Sequence, residues 1–295
     1  MGLTIYNNLP ALNVARTLNQ TYSALQVSTR RLSSGLRIGV AADDAAGLAV
    51  RELMRADIAS FKQGQRNAND AISMIQVADG ALQVIDEKLI RMKELAEQAA
   101  TGTYDSSQRL MIESEYQAMA SEITRIANQT NFSKVHLLDG TLTGDHNGTG
   151  LKSTGAMKIH FGPGNMSAED YYYITIGNAT ASSLGVGNFG APDRAGFAVS
   201  TQSAAQWAMA AVNQAIISKD KIRASLGSLQ NRLANTVSNL ATQAENLQAA
   251  ESRISDADVA TEMINFVRSQ ILAQAAVSML AQANALPRLA LSLIG

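Results

Sequence analysis

The four prolines stand at positions 10, 163, 192 and 287, which leaves 11–162 and 193–286 free of the residue that most strongly breaks a helix. Glycine is distributed the other way, with 12 of 21 falling between Gly140 and Gly196. Two helix-permissive arms therefore flank a short segment rich in a residue that helices tolerate poorly. The predicted order is helical arm, small β-rich insert, helical arm. Within the insert, "AMKIHF" sets Met157, Ile159 and Phe161 on one face and "YYYITIG" follows the loop "GPGNMSAED", a pattern that predicts a β-hairpin.

Apolar spacing in the arms alternates between three and four residues, so each helix carries one narrow stripe and needs a partner helix. Leu18, Tyr22, Leu25, Leu32 and Leu36 form such a stripe with Thr29 as its gap, and Ile75, Ala78, Leu82, Ile85, Leu89 and Met92 form another. After "ATGTYDSSQ", Ile112, Tyr116, Met119, Ile123 and Ile126 resume the pattern, with Gly102 placed to close one helix and Asp105 with Gln108 placed as a capping box for the next. Leu226, Leu233, Leu240, Leu247 and Ile254 then repeat at seven. A helix from Asp43 to Ala100 would be roughly 85 Å long at ~1.5 Å per residue. A compact chain of 295 residues would be only about 50 Å across. The expected fold is mainly α: an elongated rod of long antiparallel helices with coiled-coil ends and a small β-hairpin insert.

The stretch "RLSSGLRIGVAADDAAGLAVREL" interrupts the first arm. Gly35 suits a helix C-terminus, Asp43 or Asp44 can accept amide hydrogen bonds at the next N-terminus, and Ala45, Ala46 and Gly47 allow close approach by a neighbour. A plain helix-loop-helix corner accounts for these caps equally well. It does not account for the chain ends, where no charged side chain precedes Arg16 and none occurs from Ser269 to Pro287. A membrane span is disfavoured there because Gln270, Gln274, Ser278 and Gln282 put a polar group on one face at every fourth position. The opposite face offers Ile271, Val277, Leu280 and many alanines, as expected of a helix that packs among other copies.

Composition removes several function classes. A net charge of -1 gives no electrostatic case for nucleic acid, and the absence of cysteine excludes disulfides and thiol chemistry. The N-terminal residues lack a basic segment and a cleavage site, so a secretory signal peptide is not expected. His136, His146 and His160 are scattered and read as ordinary loop or strand residues; HExxH, a phosphate loop and a catalytic triad are absent from the sequence, which points to no enzyme, metal or cofactor.

"RLSSGLRIGVAADDAAGLAV" closely resembles the N-terminal signature of bacterial flagellins, and "TEMINFVRSQILAQAAVSMLAQANALPRLALSLIG" resembles their C-terminal signature. The likeness covers about residues 1–140 and 200–295, in the right order. It implies a structural subunit of the extracellular flagellar filament, with residues 1–42 and 255–295 forming a discontinuous inner-tube domain and 43–254 a rod domain. The break at Gly35, Asp43, Asp44 and Gly47 would join them, and Leu18, Leu25, Leu32, Ile271, Val277 and Leu280 would serve the packing of terminal helices between subunits. The insert at about 140–200 leaves room for no substantial outer domain.

The same resemblance implies partners: further copies of the chain, a flagellar export chaperone, the filament cap and hook-associated proteins. "LIRMKELAEQ" resembles the segment recognised by the animal flagellin-sensing Toll-like receptor, with Arg91 and Leu95 at matching positions and Glu115 on the following helix. Arg91 would supply a cationic anchor, Leu95 an apolar contact and Glu115 a charged partner. Alternatively, Glu87 and Arg91 decorate a solvated face as an i, i+4 pair. Asn147-Gly-Thr and Asn178-Ala-Thr are triplets of the sequon type, which chance supplies often. Two other classes compete with a filament subunit: a hook–filament junction protein, and a signalling coiled coil.

Overall fold

The structure is a computed structural model that describes residues 8–149, 154–167, 169–187 and 198–294, with side chains to residue 285 in the last helix. Residues 1–7, much of the insert's second half and the last side chains of the C-terminal signature lie outside the described residues. In chain order the elements are α1 (Leu9–Ser34), α2 (Ala45–Ala100), α3 (Ser106–Gln129), β1 (Asn131–Phe132), β2 (Val135–His136), β3 (Met157–His160), β4 (Tyr171–Ile174), α4 (Ala181–Leu184), α5 (Gln202–Ser255) and α6 (Val259–Ile294). They form two compact units, Met1–Ile58 with Glu245–Gly295, and Ala59–Ala244.

In the first unit α1 and α6 run antiparallel, with Asn8 beside Ala283 at one end and Arg31 beside Glu262 at the other. The expected stripe on α1 is displaced. Thr21 and Ser28 are buried while Tyr22 is 45% exposed and Thr29 is exposed. The inward positions are Ala11, Val14, Leu18, Thr21, Leu25, Ser28 and Leu32, still spaced three and four apart. Leu18, Leu25 and Leu32 keep their place, and small hydroxyl residues take the alternate positions, where their size permits close approach to α6.

The second unit buries α2, α3 and α5 around one core. Ile75, Ala78, Leu82, Ile85, Leu89 and Met92 are all at most 1% exposed, and Ile112, Tyr116, Ile123, Leu226 and Leu233 face them. The capping box of α3 forms as expected: Asp105 Oδ1 accepts the Gln108 amide at 2.8 Å and the Asp105 amide donates to Gln108 Oε1 at 3.1 Å. Gly102 does not take the left-handed cap expected of it. Arg109 reaches back instead, donating from Nε to the Ala99 carbonyl at 3.0 Å and from Nη2 to the Thr101 carbonyl at 2.8 Å. A cation thus serves the orphaned acceptors at the helix C-terminus.

Lys219, 2% exposed, joins α5 to α2 through Asp86 at 2.6 Å and is also paired with Asp220 at 2.7 Å. Pairing of this kind is what makes a buried ammonium tolerable.

The insert holds the expected hairpin, with Met157 opposite Ile174 and His160 opposite Tyr171. A second two-stranded ladder, β1 with β2, precedes it without a glycine signal: Ser133 and Lys134 form its turn with φ of 50° and 67°. Side chains other than glycine and asparagine are rare in that conformation, so the sequence gives little warning of the turn. The β3–β4 hairpin docks on α2 at Gly64. A Cβ there would lie 2.0 Å from the Phe161 carbonyl oxygen, and Asn67 Nδ2 donates to the His160 carbonyl at 2.7 Å. On its other side Arg232 of α5 stacks 3.6 Å over the Tyr172 ring. Replacing Gly64 by Ala forces the hairpin off α2. The expected cost is about 1–3 kcal/mol, read as a lower urea midpoint in tyrosine fluorescence; an unchanged midpoint would show that the docking contributes nothing.

Candidate assembly surface

The functional candidates of the first unit lie on α1, on α6 and on the two breaks that precede α2 and α6. Gly35 ends α1 in the left-handed conformation at φ 72°, its amide donating to the Arg31 carbonyl at 2.8 Å. The next helix is capped by Asp44, whose Oδ1 accepts the Gly47 amide at 2.9 Å. Asp43 has a different task. Its carboxylate accepts the Gly39 and Val40 amides, both at 3.2 Å, and pairs with Arg30 Nη2 at 2.8 Å, clasping the loop back to α1. Desolvation alone would raise the Asp43 pKa, but the Val40 and Gly39 amides and the Arg30 and Arg31 charges outweigh it, and the group titrates below the ordinary carboxylate value. Gly47 serves an internal contact: a Cβ there would meet Ile38 Cδ1 at 2.8 Å and Asp44 Oδ2 at 2.5 Å.

The second break, Asp256 to Asp258, is bonded to the first. The Arg37 amide donates to the Ser255 carbonyl at 2.6 Å, the Ala257 amide to the Gly35 carbonyl at 2.9 Å, and Arg37 Nη2 to the Ile254 carbonyl at 2.6 Å. Leu36 and Asp256 form an antiparallel bridge. Beneath it Ile38 is 2% exposed, and Arg51 Nη1 holds the Ile38 carbonyl at 2.5 Å. Asp258 then caps α6 by accepting the Ala260 amide at 2.9 Å. Sequence reasoning missed this bridge, since nothing local marks the pairing of segments more than 200 positions apart; the cap signal Asp258-x-x-Thr261 could have located the second break.

At the far end of the pair, Pro287 sits inside α6, whose helical backbone continues to Ile294. Proline lacks an N–H, so the carbonyl of Ala283, four residues earlier, loses its helical donor. Asn8 Nδ2 supplies one at 2.8 Å, while Asn8 Oδ1 accepts the Ala11 amide at 3.1 Å and caps α1. One carboxamide closes the start of the first helix and repairs the gap in the last.

The α1–α6 seam leaves most large apolar side chains of α6 outside. Glu262, Ser269, Ala273 and Ala283 are buried, whereas Ile264, Ile271, Leu272, Val277 and Met279 are 48–60% exposed. Of the three α6 residues expected to pack among other copies, Leu280 is half-buried within the chain and Ile271 and Val277 are exposed. Met263, Ile264, Val267, Arg268, Ile271 and Leu272 line a shallow groove of roughly 510 Å³. Tyr22 and Leu25 of α1 join Ala273 and Val277 around a second hollow of roughly 340 Å³. Among the described residues no helix is long and apolar enough to cross a membrane, and no cluster of three or more His, Cys, Asp or Glu could hold a metal ion.

In the second unit Arg91 donates from Nε and Nη2 to Glu115 Oε1 at 3.0 and 2.7 Å and from Nη1 to Glu94 at 3.0 Å. Hydrogen bonds from Glu115 and Glu94 raise the guanidinium pKa. Arg91 and Glu115 are thus brought together across α2 and α3, and the expected i, i+4 pairing of Arg91 with Glu87 gives way to these partners. Leu95 does not join them: at 1% exposure it is a core residue, placed inside by the same helical period that buries Met92 and Ala96. As a surface contact it is therefore corrected.

An α-helical protein whose first and last helices pair, with the larger side chains of the last turned outward, defines a chain built around its two termini. Residues 5–143 match the model of the bacterial flagellin N-terminal helical region and residues 209–294 that of the bacterial flagellin C-terminal helical region. The chain is 40% identical over 292 residues to flagellin FlaB2 of Treponema pallidum and 40% over 293 to the flagellar filament 33 kDa core protein of Treponema phagedenis, covering 99% of this chain and 100% of each relative. It is 37% identical over 308 residues to a flagellin of Bacillus subtilis, with the same coverage. The chain belongs to the bacterial flagellin family.

The Asn8 contact gives an expected order of stability. Asn8→Asp keeps the acceptor for Ala11 and loses the donor to Ala283, at a cost of about 1 kcal/mol. Asn8→Ala loses both, at about 2 kcal/mol. Amide hydrogen exchange in the first turns of α1 should accelerate in that order, and equal protection in all three proteins would show the carboxamide to be idle.

Proposed function

We propose that this protein is the structural subunit that self-assembles into the bacterial flagellar filament, and that the outward face of α6 is a principal subunit contact. The observation that carries the reading is the inversion of the terminal pair, which buries small residues and leaves Ile271, Leu272 and Val277 in water. Full burial of an exposed side chain of this size gains about 1.5–3 kcal/mol, and these, about half exposed in the free chain, gain about half of that when neighbouring copies cover them. The family supports a structural, non-enzymatic role and a place in the flagellum.

Residues 1–42 and 255–295 are assigned to an inner-tube domain and 43–254 to a rod domain, with no substantial outer domain. Gly35, Asp43, Asp44 and Gly47 shape the connection between them. Secretion to the cell exterior, an export chaperone, the filament cap and hook-associated proteins belong to the same reading. The Arg91–Glu115 pair, 47% and 43% exposed at its side chains, is assigned as a recognition face for the flagellin-sensing Toll-like receptor, without Leu95. The double substitution of Arg91 and Glu115 by Ala should weaken reporter-cell signalling at unchanged helicity, and full signalling would remove the assignment.

Seeded polymerisation tests the main reading. Intact monomer should elongate short filament fragments, and proteins lacking residues 1–35 or 265–295 should not. Ile271→Asp and Val277→Asp should also block elongation while leaving far-ultraviolet circular dichroism unchanged, because both side chains are exposed in the free subunit. Normal elongation by both Asp variants would remove α6 as a contact. Binding of the intact protein that stops at a short collar would identify a hook–filament junction protein instead.

A further inference from the structure

We infer that residues 146–149 form a self-modifying site in which His146 drives conversion of Asn147 to aspartate and isoaspartate. His146 Nδ1 lies 2.7 Å from the Ala156 carbonyl oxygen. A carbonyl can only accept, so Nδ1 carries the proton and the neutral ring presents its lone pair at Nε2. The ring is further held against Tyr173, at 5.2 Å between centroids. Nε2 points at the residue that matters: a Cβ built on Gly148 would lie 2.9 Å from it. The lack of a side chain at Gly148 therefore lets the imidazole approach the backbone of that residue.

The amide carbonyl of Asn147 is engaged from the other side. Its Oδ1 accepts the Thr149 amide at 3.2 Å and the Thr149 hydroxyl at 2.8 Å. Both donors stand ready where negative charge develops when the carbonyl is attacked. The Asn147 main chain is fixed separately, its amide donating to the Thr154 carbonyl at 2.9 Å and its carbonyl accepting the Thr154 amide at 3.0 Å. Backbone, electrophile and base are each held by a different contact, so few degrees of freedom remain to be fixed when the Gly148 nitrogen attacks.

The reaction balances with water as its only co-reactant. His146 Nε2 takes the proton of the Gly148 amide, directly or through one water, and the Gly148 nitrogen forms a bond to Asn147 Cγ. The charge passes to Oδ1, where Thr149 donates. As the carbonyl reforms, the Cγ–Nδ2 bond breaks, the imidazolium returns its proton to the leaving nitrogen, and ammonia departs. The resulting succinimide is opened by water at either carbonyl. One product is aspartate; the other is isoaspartate, which carries an extra methylene in the main chain and breaks the register with Thr154. No oxidant, metal or second protein is required. His146, read from sequence as an ordinary loop residue, thereby acquires a role.

The test compares the folded chain with the same chain held in urea, following the Asn147 peptide by mass spectrometry as amide is exchanged for acid. The folded protein should convert faster than the denatured one. His146→Gln, which keeps a donor for Ala156 and lacks a base, should slow folded-state conversion at least ~10-fold, and Thr149→Val should slow it by roughly 5-fold. Circular dichroism confirms that each variant is folded. A folded rate no higher than the denatured one, or the same rate in His146→Gln, overturns the proposal.

Discussion

Helices α1 and α6 meet through a seam in which every second or third side chain is Ala, Ser or Thr, and the first unit depends on how close this brings their backbones. Their Cα atoms come repeatedly within 8 Å. Close approach has a cost. A buried Ala or Ser removes little apolar area from water, so the terminal pair gains less from burial than a leucine seam would. The deficit is met by directional bonds at both ends: Asn8 to Ala283, and the bridge of Leu36 with Asp256 flanked by Arg37. Such bonds fix register without adding apolar volume, and they leave the bulk of α6 available to something outside the chain.

The two breaks follow from the same constraint. A continuous helix from α1 into α2 would prevent the chain from changing direction beside the α5–α6 turn. The segment after Gly35 therefore leaves the helix and spends its backbone groups on residues 255–257. Asp43 holds the loop closed on α1 while Asp44 begins the next helix, a division of labour between adjacent carboxylates. Asp79 with Arg223 and Asp86 with Lys219 provide analogous directional links between α2 and α5 in the second unit.

Much of this was legible where the signal is local. The spacing of Ile75 through Met92 places each residue in the core, the Asp105–Gln108 box needs only four adjacent residues, and Gly35 announces its own conformation. The α1 stripe was misplaced because a hydrophobic pattern counts Thr21 and Ser28 as gaps, whereas packing counts them as small. Ser133-Lys134 carries no glycine or asparagine to mark a tight turn. Arg109 in place of Gly102, Asn8 on Ala283 and the bridge between residues 36 and 256 are non-local bonds, which periodicity cannot supply. Leu95 differs: the helical period that buries Met92 and Ala96 also turns it inward, and a motif resemblance carries no information about burial.

The outward face of α6 also carries polar side chains, and these bear on how such a helix can be both soluble and adhesive. Gln270, Gln274, Ser278 and Gln282 are exposed, in a line beside Ile271 and Val277. An uncharged amide stays hydrated in the free chain, and on burial it loses far less solvation than a charged group would. It must nevertheless find a hydrogen-bond partner once covered. Apolar neighbours supply the gain on packing, and the amides penalise every arrangement that leaves them unpaired. A face made only of isoleucine and valine would pack in many registers. A face interleaved with glutamine at every fourth position packs well in few, and the absence of charge between Ser269 and Pro287 keeps that selectivity free of salt bridges that would bind before the register is found.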